Sequence, residues 1–245
     1  LTEVAGEVPE PVVDAAGGEA GLALHMAIAA AKEALGEADT ASIGLVLSTT
    51  KADLGGVQGN GEGLGSPARL ARRLGESLGL GGPQAAVSGA GSSGGAATAL
   101  AARWIERGHA TRVLVVGVDA LTPFVLRGFS SLLALDSQPC RPFDRERAGL
   151  SLGEGAAALL LSARENESLR GTFIAGWGES NDANHVTGPS RDGSGLRLAA
   201  ERALARAGIR PAEVDAVHVH GTGTRYNDAS EALALVGLFG GKTPP

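Results

Sequence analysis

The chain has 245 residues, of which 43% are hydrophobic, and a formal net charge of −6 from 21 Lys plus Arg against 27 Asp plus Glu. These values are typical of a globular protein with a sizeable core, and they exclude a mainly disordered chain. The acidic balance argues against a nucleic-acid partner, and one Cys with five scattered His argues against disulfides or a common zinc cluster. We expect no metal and no cofactor.

The first part of the chain predicts an alternation of helices and strands. Apolar residues recur at three- and four-residue spacing in two segments, and Gly36 stands where a helix C-cap belongs. The Gly-rich stretch 51–67 is interpreted as a long loop within one domain. The predicted elements are helices at 20–36 and 68–79 and strands at 43–48 and 85–88.

The same alternation continues after a small-residue turn at 89–94. A helix at 93–107 follows the turn, and the apolar strand at 112–118 is typical of a parallel strand covered by helices. The remaining predicted elements are strands at 156–162, 172–178 and 214–219 and helices at 194–207 and 228–239. No linker or repeat divides the chain, so we predict a single α/β domain over residues 1–245.

The turn at 89–94 has two interpretations. Gly89, Gly91 and Gly94 spell GxGxxG, and Asp119 ends the next strand, which fits a Rossmann-like dinucleotide-binding module. The strand before the turn is short, however, and a Gly-rich chain produces this pattern by chance. The first turn of a helix also suits a nucleophile, because it stabilises a thiolate and an oxyanion, but Gly91 has no side chain that could attack.

Several long motifs together resemble the β-ketoacyl-acyl-carrier-protein synthases, the condensing enzymes with the thiolase fold. VSGAGSSGG at 87–95 resembles the family's VSTACSSG nucleophile turn, and the later motifs are CRPFDRERAGLSLGEGAA, NDANHVTGPSRDGSG and HGTGTRYNDASEA. The motifs follow the family's order from about residue 18 to the end. The resemblance implies a layered αβαβα fold, with an N-terminal half at about 18–162 and the start of a C-terminal half at about 171–245.

The resemblance also implies roles for individual residues. Gly91 falls at the acyl-accepting Cys, and His220 matches the first of two His that support decarboxylation of the malonyl extender. Thr222 and Thr224 match the threonines that bind the pantetheine arm of the carrier protein. The other residues it implies are His185 for substrate binding and Glu154, Asp228 and Glu231 for structural support of the site.

Departures from the family pattern determine the predicted function. The thiol is missing at position 91, Arg225 stands where the family commonly has Pro, and the second His with its nearby Lys would follow Pro245. The family's first strand and helix would likewise precede the sequence, so the fold is expected to be incomplete at both ends. Cys140 is distant in sequence and Ser92 is turned about 100° around the helix, so neither is expected to replace the thiol. Because condensation passes through an enzyme-bound thioester, we expect no catalysis by this chain alone.

The resemblance therefore predicts a non-catalytic, chain-length-factor-like subunit that forms a heterodimer with an active ketosynthase. The pathway would be type II fatty-acid or polyketide biosynthesis, including polyene-type products, with the acyl carrier protein reaching the pair through the active partner. The thiolase fold implies pairing through the strand at 84–88. Two alternatives stay open: a fragment or nucleophile mutant of an active β-ketoacyl-ACP synthase, and the dinucleotide-binding module.

The sequence gives no indication of a membrane segment. The longest apolar run, at 156–161, has the length of a strand and is too short to span a bilayer. The N-terminal residues LTEVAGEVPEPVVD are acidic and differ from a signal or transit peptide. We therefore expect a cytoplasmic protein.

Overall fold

A computed structural model describes residues 5–6, 21–53, 65–163, 171–185 and 188–245 of the chain. The helices are α1 (Leu22–Leu35), α2 (Pro67–Leu78), α3 (Ser93–Glu106), α4 (Pro123–Ser131), α5 (Ser194–Ala207) and α6 (Arg225–Phe239), with a 3-10 turn at Pro211–Glu213. The strands are β1 (Ala5–Gly6), β2 (Gly44–Ser48), β3 (Gln84–Val87), β4 (Arg112–Asp119), β5 (Leu152–Gly153) and β6 (Gly155–Ser162). Residues 54–64 of the predicted loop at 51–67 lie outside the described residues.

The chain divides into two compact units, and each is described by itself. The sheet unit comprises Gly6–Leu126 and Gly153–Arg170. The helix-pair unit comprises Leu1–Ala5, Arg127–Leu152 and Gly171–Pro245. Among the described residues, no helix is both long and apolar enough to cross a membrane.

The sheet unit is built on a four-stranded sheet with the strand order β3-β2-β4-β6. β2 lies in the interior and is parallel to both neighbours, so that Val46 is opposite Ala85 on one side and Val115 on the other. The parallel arrangement predicted for the strand at 112–118 is confirmed where it pairs with β2. On its other side it pairs with β6, which runs antiparallel and places Leu160 opposite Leu114. β3 and β6 form the two edges of this sheet.

Helices cover both faces of the four-stranded sheet. On one face, Leu45 lies in an apolar cluster with Met26 of α1 and Leu74 of α2. On the other face, Val46 lies in a cluster with Ala97 of α3. Successive side chains of a strand point to opposite faces, so β2 contributes to both clusters and all five of its residues are buried. This helix–sheet–helix layering confirms the α/β class.

In the helix-pair unit, α5 and α6 pack together, but the strand predicted at 172–178 is wrong. Among the described residues this segment has no partner strand. Gly176 and Gly178 bring its backbone against α5 instead: a Cβ at Gly176 would lie 2.5 Å from the carbonyl oxygen of Ala203, and a Cβ at Gly178 would overlap the carbonyl oxygen of Ala199. The β-branched and aromatic residues of this segment suit a strand, but its two glycines serve close packing on a helix.

The strand predicted at 214–219 is also wrong. Its apolar alternation is present, but no ladder forms along it in the part of the chain that the structure describes. The backbone N–H of Val217 donates to the carbonyl oxygen of Pro245 at 3.0 Å. A single bond of this kind does not make a strand, because a ladder needs successive pairs.

The predicted helices are confirmed, with shifts at their ends and one addition. α6 begins at Arg225 and not at 228, because Thr224 has an extended conformation and occupies the N-cap. α4 is not predicted by apolar spacing. Its signal is a Pro in the first turn after Thr122, whose hydroxyl accepts the N–H of Val125 at 3.4 Å.

Candidate functional site

The turn between β3 and α3 is held together by its own serines. Ser92 Oγ donates to the carbonyl of Gly89 at 2.7 Å, while Ser93 Oγ donates to the carbonyl of Ala90 at 2.6 Å and accepts from the N–H of Gly89 at 2.8 Å. Ala90 has a φ of +50°, a left-handed conformation that residues with a side chain rarely adopt. These hydrogen bonds therefore stabilise a strained turn, and Gly91 stands immediately before the N-cap residue Ser92.

An open cavity of about 530 Å³ lies in the sheet unit, where β2 and β4 end and β6 begins. Gly91 and Gly94 line it from the turn and α3, and Glu154 and Gly155 line it from the start of β6. A Cβ at Gly94 or Gly155 would meet no atom within 4 Å. The structure thus brings Gly91 and Glu154 of the predicted site residues to one cavity.

Two carboxylates line this cavity, and both are bound to backbone. Glu154 Oε2 accepts the N–H of Leu121 at 2.8 Å, which ties the start of β6 to the chain that leaves β4. Asp119 Oδ1 accepts the N–H of Thr50 at 3.0 Å and its hydroxyl at 2.9 Å, and lies 3.5 Å from Lys51 Nζ. Asp119 is thus engaged with the end of β2.

In the helix-pair unit, a buried carboxylate holds the backbone of His220. The N–H groups of His220 and Gly221 donate to Glu231 Oε1 and Oε2 at 2.7 and 2.9 Å, and Glu231 is only 5% exposed. His220 itself is exposed. Glu231 therefore fixes the backbone of the loop from the buried side, while His220 is exposed to solvent.

A second buried carboxylate, Asp228, holds the rest of the same loop. Its Oδ1 accepts the N–H of Gly223 at 3.2 Å and the hydroxyl of Thr222 at 3.4 Å. The hydroxyls of Thr222 and Thr224 lie 2.9 Å apart and form a hydrogen bond. The structure thus groups five of the predicted site residues, His220, Thr222, Thr224, Asp228 and Glu231, around the loop 220–224.

The segment 140–149 packs against this loop. Cys140 Sγ donates to the carbonyl of Thr222 at 3.2 Å, and a Cβ at Gly223, which has a φ of +71°, would lie 2.7 Å from that sulfur. A Cβ at Gly221 would likewise lie 3.1 Å from Pro142. Glycine is therefore needed at both positions of the loop, and the thiol of Cys140 acts as a packing group behind it.

His185 lies in a different, mostly exposed segment, of which residues 181–185 and 188–193 are described. Backbone N–H groups of Ser190 and Asn184 donate to Asp182 and lower its pKa below the ordinary value of 3.8. The N–H of Ser194 lowers the pKa of Asp192 in the same way. These carboxylates shape the loop that carries His185.

Among the described residues, no group of three His, Cys, Asp or Glu side chains could hold a metal ion.

The sequence interpretation missed several residues of the two sites. Thr50 and Lys51 follow β2 and complete the environment of Asp119, while Phe143 and Arg147 contact Asp228. The only signal for the second pair was the charged motif RPFDRER. The partners are 69 positions apart for Thr50 and Asp119, and 85 for Phe143 and Asp228.

Comparison with known families matches both parts of the chain. Residues 23–167 match the family described as "Beta-ketoacyl synthase, N-terminal domain", and residues 172–245 match "Beta-ketoacyl synthase, C-terminal domain". Nodulation protein E of Rhizobium meliloti is 40% identical over 179 residues, covering 71% of this chain and 44% of that protein. The 3-oxoacyl-[acyl-carrier-protein] synthase 2 of Staphylococcus aureus is 34% identical over 173 residues, covering 66% of this chain and 43% of that protein. The matched region therefore spans less than half the length of these relatives.

Solved structures with the same fold include ketosynthases and their complexes. A ketosynthase (ApeO) in complex with its chain length factor (ApeC) from Xenorhabdus doucetiae matches with a TM-score of 0.80 and 28% identity, over 99% of this chain and 64% of that chain. The ishigamide ketosynthase/chain length factor matches with a TM-score of 0.72 and 27% identity, over 97% and 64%. These neighbours are thiolase-like ketosynthases, as expected from the motifs, and none of these matches favours the dinucleotide-binding alternative.

Proposed function

Since this chain belongs to the β-ketoacyl synthase family, we propose that it is a non-catalytic, chain-length-factor-like subunit that pairs with an active β-ketoacyl synthase. The pair would act in the cytoplasm, in type II fatty-acid or polyketide biosynthesis. The observation that carries the proposal is the identity of residue 91. Gly91 lies just before the N-cap of α3 and lines the cavity, at the position that the family motif gives to the nucleophilic Cys.

The contacts around Gly91 support the absence of a covalent step. A ketosynthase must hold its acyl group as a thioester before condensation, so the seat needs a free nucleophile. The hydroxyls of Ser92 and Ser93 donate to the carbonyls of Gly89 and Ala90 and serve the turn. The only Cys of the sequence, Cys140, belongs to the helix-pair unit and donates to a backbone carbonyl there.

The remaining site residues are proposed to retain the family's substrate-binding arrangement without its chemistry. His220, Thr222 and Thr224 sit on a loop whose backbone is fixed by two buried carboxylates. In this proposal the threonine hydroxyls contact a pantetheine arm, and His185 contributes from its own exposed loop. Glu154, Asp228 and Glu231 support the site.

Pairing with an active synthase is supported by two observations. Among the structural neighbours are complexes of a ketosynthase with a chain length factor. In addition, β3 is an edge strand of the four-stranded sheet, so its outer backbone groups can pair with another chain. This is the strand through which the family resemblance predicts pairing.

The test is co-expression of this chain with a complete synthase from the same genome, followed by incubation of the purified pair with an acyl-thioester donor. We expect the two chains to co-purify and intact-mass analysis to find the acyl adduct on the synthase alone. An adduct on this chain, at any residue of the turn 89–94, would overturn the proposal in favour of an active enzyme. Failure to co-purify with any such synthase would overturn the pairing.

A further inference from the structure

Arg147 lies beside the loop 220–224 and has no role in the family pattern described above. We infer that Arg147 is a positioning residue, which sets the hydroxyls of Thr222 and Thr224 by holding Asp228. The inference deepens the proposed function and rests on it in one respect, namely that these hydroxyls contact a ligand.

The guanidinium of Arg147 contacts three different groups. Nη1 donates to the carbonyl of Asp144 at 2.8 Å and Nη2 to the carbonyl of Arg225 at 3.2 Å. Nε lies 3.4 Å from Asp228 Oδ2, in an ion pair that lacks hydrogen-bond geometry. The Arg147 side chain is 19% exposed and that of Asp228 is fully buried. A planar, permanently charged guanidinium can donate to two carbonyls and still place its charge against a carboxylate, which a lysine ammonium on a flexible stem cannot reproduce.

The carboxylate of Asp228 passes this constraint to the loop. Oδ2 faces Arg147 and accepts the N–H of Phe143 at 2.8 Å, whereas Oδ1 accepts from Gly223 and Thr222. Phe143 has a φ of +60°, which is unfavourable for an aromatic residue and shows that this part of the chain is constrained by its contacts. Since both oxygens of one rigid group are used, fixing Oδ2 also fixes the direction of Oδ1.

The orientation of the threonine pair follows from that direction. Thr222 Oγ1 contacts both Asp228 and Thr224 Oγ1, so its position depends on the carboxylate. By contrast, the N–H of Gly221 is bound by Glu231 and not by Asp228. Within one loop, the amide of Gly223 therefore reports on its hydrogen bond to Asp228, and the amide of Gly221 reports on its hydrogen bond to Glu231.

The experiment measures amide hydrogen exchange at these two glycines in the full chain, for the wild-type protein, Arg147→Met, Arg147→Lys and the matched control Arg145→Met. Arg145 is an exposed arginine of the same segment. We expect Arg147→Met to accelerate exchange at Gly223 about tenfold with little change at Gly221, and Arg145→Met to leave both unchanged. Arg147→Lys is expected to restore less than half of the lost protection.

Three results would overturn the inference: unchanged exchange at Gly223 in Arg147→Met, equal acceleration at Gly221 and throughout α5, or full restoration by lysine. If Arg147→Met does not fold, the double variant Arg147→Met with Asp228→Asn removes both charges, and it should fold with Gly223 still deprotected. A folded double variant with wild-type exchange at Gly223 would also overturn the inference.

A pantetheine titration separates this inference from the proposed function. If wild-type protein binds pantetheine, Arg147→Met should weaken the affinity about fivefold, and unchanged affinity would contradict the inference. If wild-type protein binds none, ligand contact by the threonines fails as part of the proposed function. Amide exchange still decides the role of Arg147 in that case.

Discussion

Gly91 lies at the N-terminus of α3 and lines a cavity. The hydroxyls of its neighbours Ser92 and Ser93 are hydrogen-bonded to backbone carbonyls. A thiol placed there would feel the positive end of the α3 dipole and the backbone N–H groups of its first turn, both of which favour the thiolate. In our proposal, the electrostatics at position 91 would therefore suit a nucleophile, although glycine occupies it.

This property can be measured with Gly91→Cys in a Cys140→Ser background. We expect the new thiol to react with iodoacetamide with an apparent pKa about one unit or more below the ordinary 8.5 of a free Cys. The matched control is Ser77→Cys in the same background, because Ser77 is exposed near the C-terminal end of α2, where the dipole has the opposite sign. Equal pKa values for the two thiols would contradict the assignment of the seat.

At the residue scale, the sequence predicted the motif positions but not the pairs that fix them. HGTGT and GEG are contiguous, so a resemblance can place Thr222 or Glu154 without knowledge of the fold. Asp119 meets Thr50, and Asp228 meets Phe143, only after the chain has folded across many intervening residues. No local spacing encodes such contacts.

Among the elements, apolar spacing located the helices well and two strands poorly. The runs at 44–48 and 112–119 are enclosed by helices on both faces, so their uninterrupted apolar sequence corresponds to their environment. The segment at 172–178 contains the same kinds of residue, but its glycines approach the α5 backbone. Sequence periodicity did not distinguish the two cases, because the Thr, Phe, Ile and Trp of this segment suit a strand, while Gly176 and Gly178 serve the approach to α5.

Replacement of glycine by alanine should change the free energy of unfolding in opposite directions at a closely packed glycine and at a glycine with free space around it. We expect Gly178→Ala to destabilise the protein by roughly 1–3 kcal/mol, because the added methyl overlaps the α5 backbone. Gly95→Ala should instead stabilise it by up to about 1 kcal/mol, because Gly95 lies within α3 and a Cβ there meets no atom within 4 Å. Denaturant unfolding measures both, and equal effects would contradict the packing of 172–180 on α5.

The loop that carries His185 should respond to acid. The N–H groups of Ser190 and Asn184 lower the pKa of Asp182, so its stabilising contribution is present above 3.8 and is lost as pH falls through the lower folded-state value. We expect the amide resonance of Ser190 to titrate with a midpoint below 3.8, and Asp182→Asn to abolish this titration. A midpoint at or above 3.8 would show that these bonds do not persist in solution.

At the scale of the whole molecule, the proposed pairing with a second chain can be tested at the edge strand β3. The N–H groups of Leu45 and Thr49 donate to the carbonyls of Pro83 and Val87, so residues 83, 85 and 87 face β2, and the backbone of Ala86 faces outward. Proline is tolerated on an edge strand where its nitrogen faces away from the sheet.

We therefore expect Ala86→Pro to leave the chain folded and to abolish co-purification with the proposed synthase partner, because it removes an outward donor. Ala86→Val keeps that donor and should co-purify like the wild type. Circular dichroism checks folding of both variants. A folded Ala86→Pro chain that still pairs would place the interface elsewhere.

The interior position of β2 also has a consequence for biosynthesis. This strand is made before both of its neighbours, β3 and β4, yet it lies between them, so the ribosome must complete residue 119 before IGLVLS can be enclosed. Until then the nascent chain exposes a mostly apolar segment that is prone to aggregation. Chaperone supply over this interval should raise the soluble yield more than chaperone supply later in the chain, and slower translation over it should lower the yield.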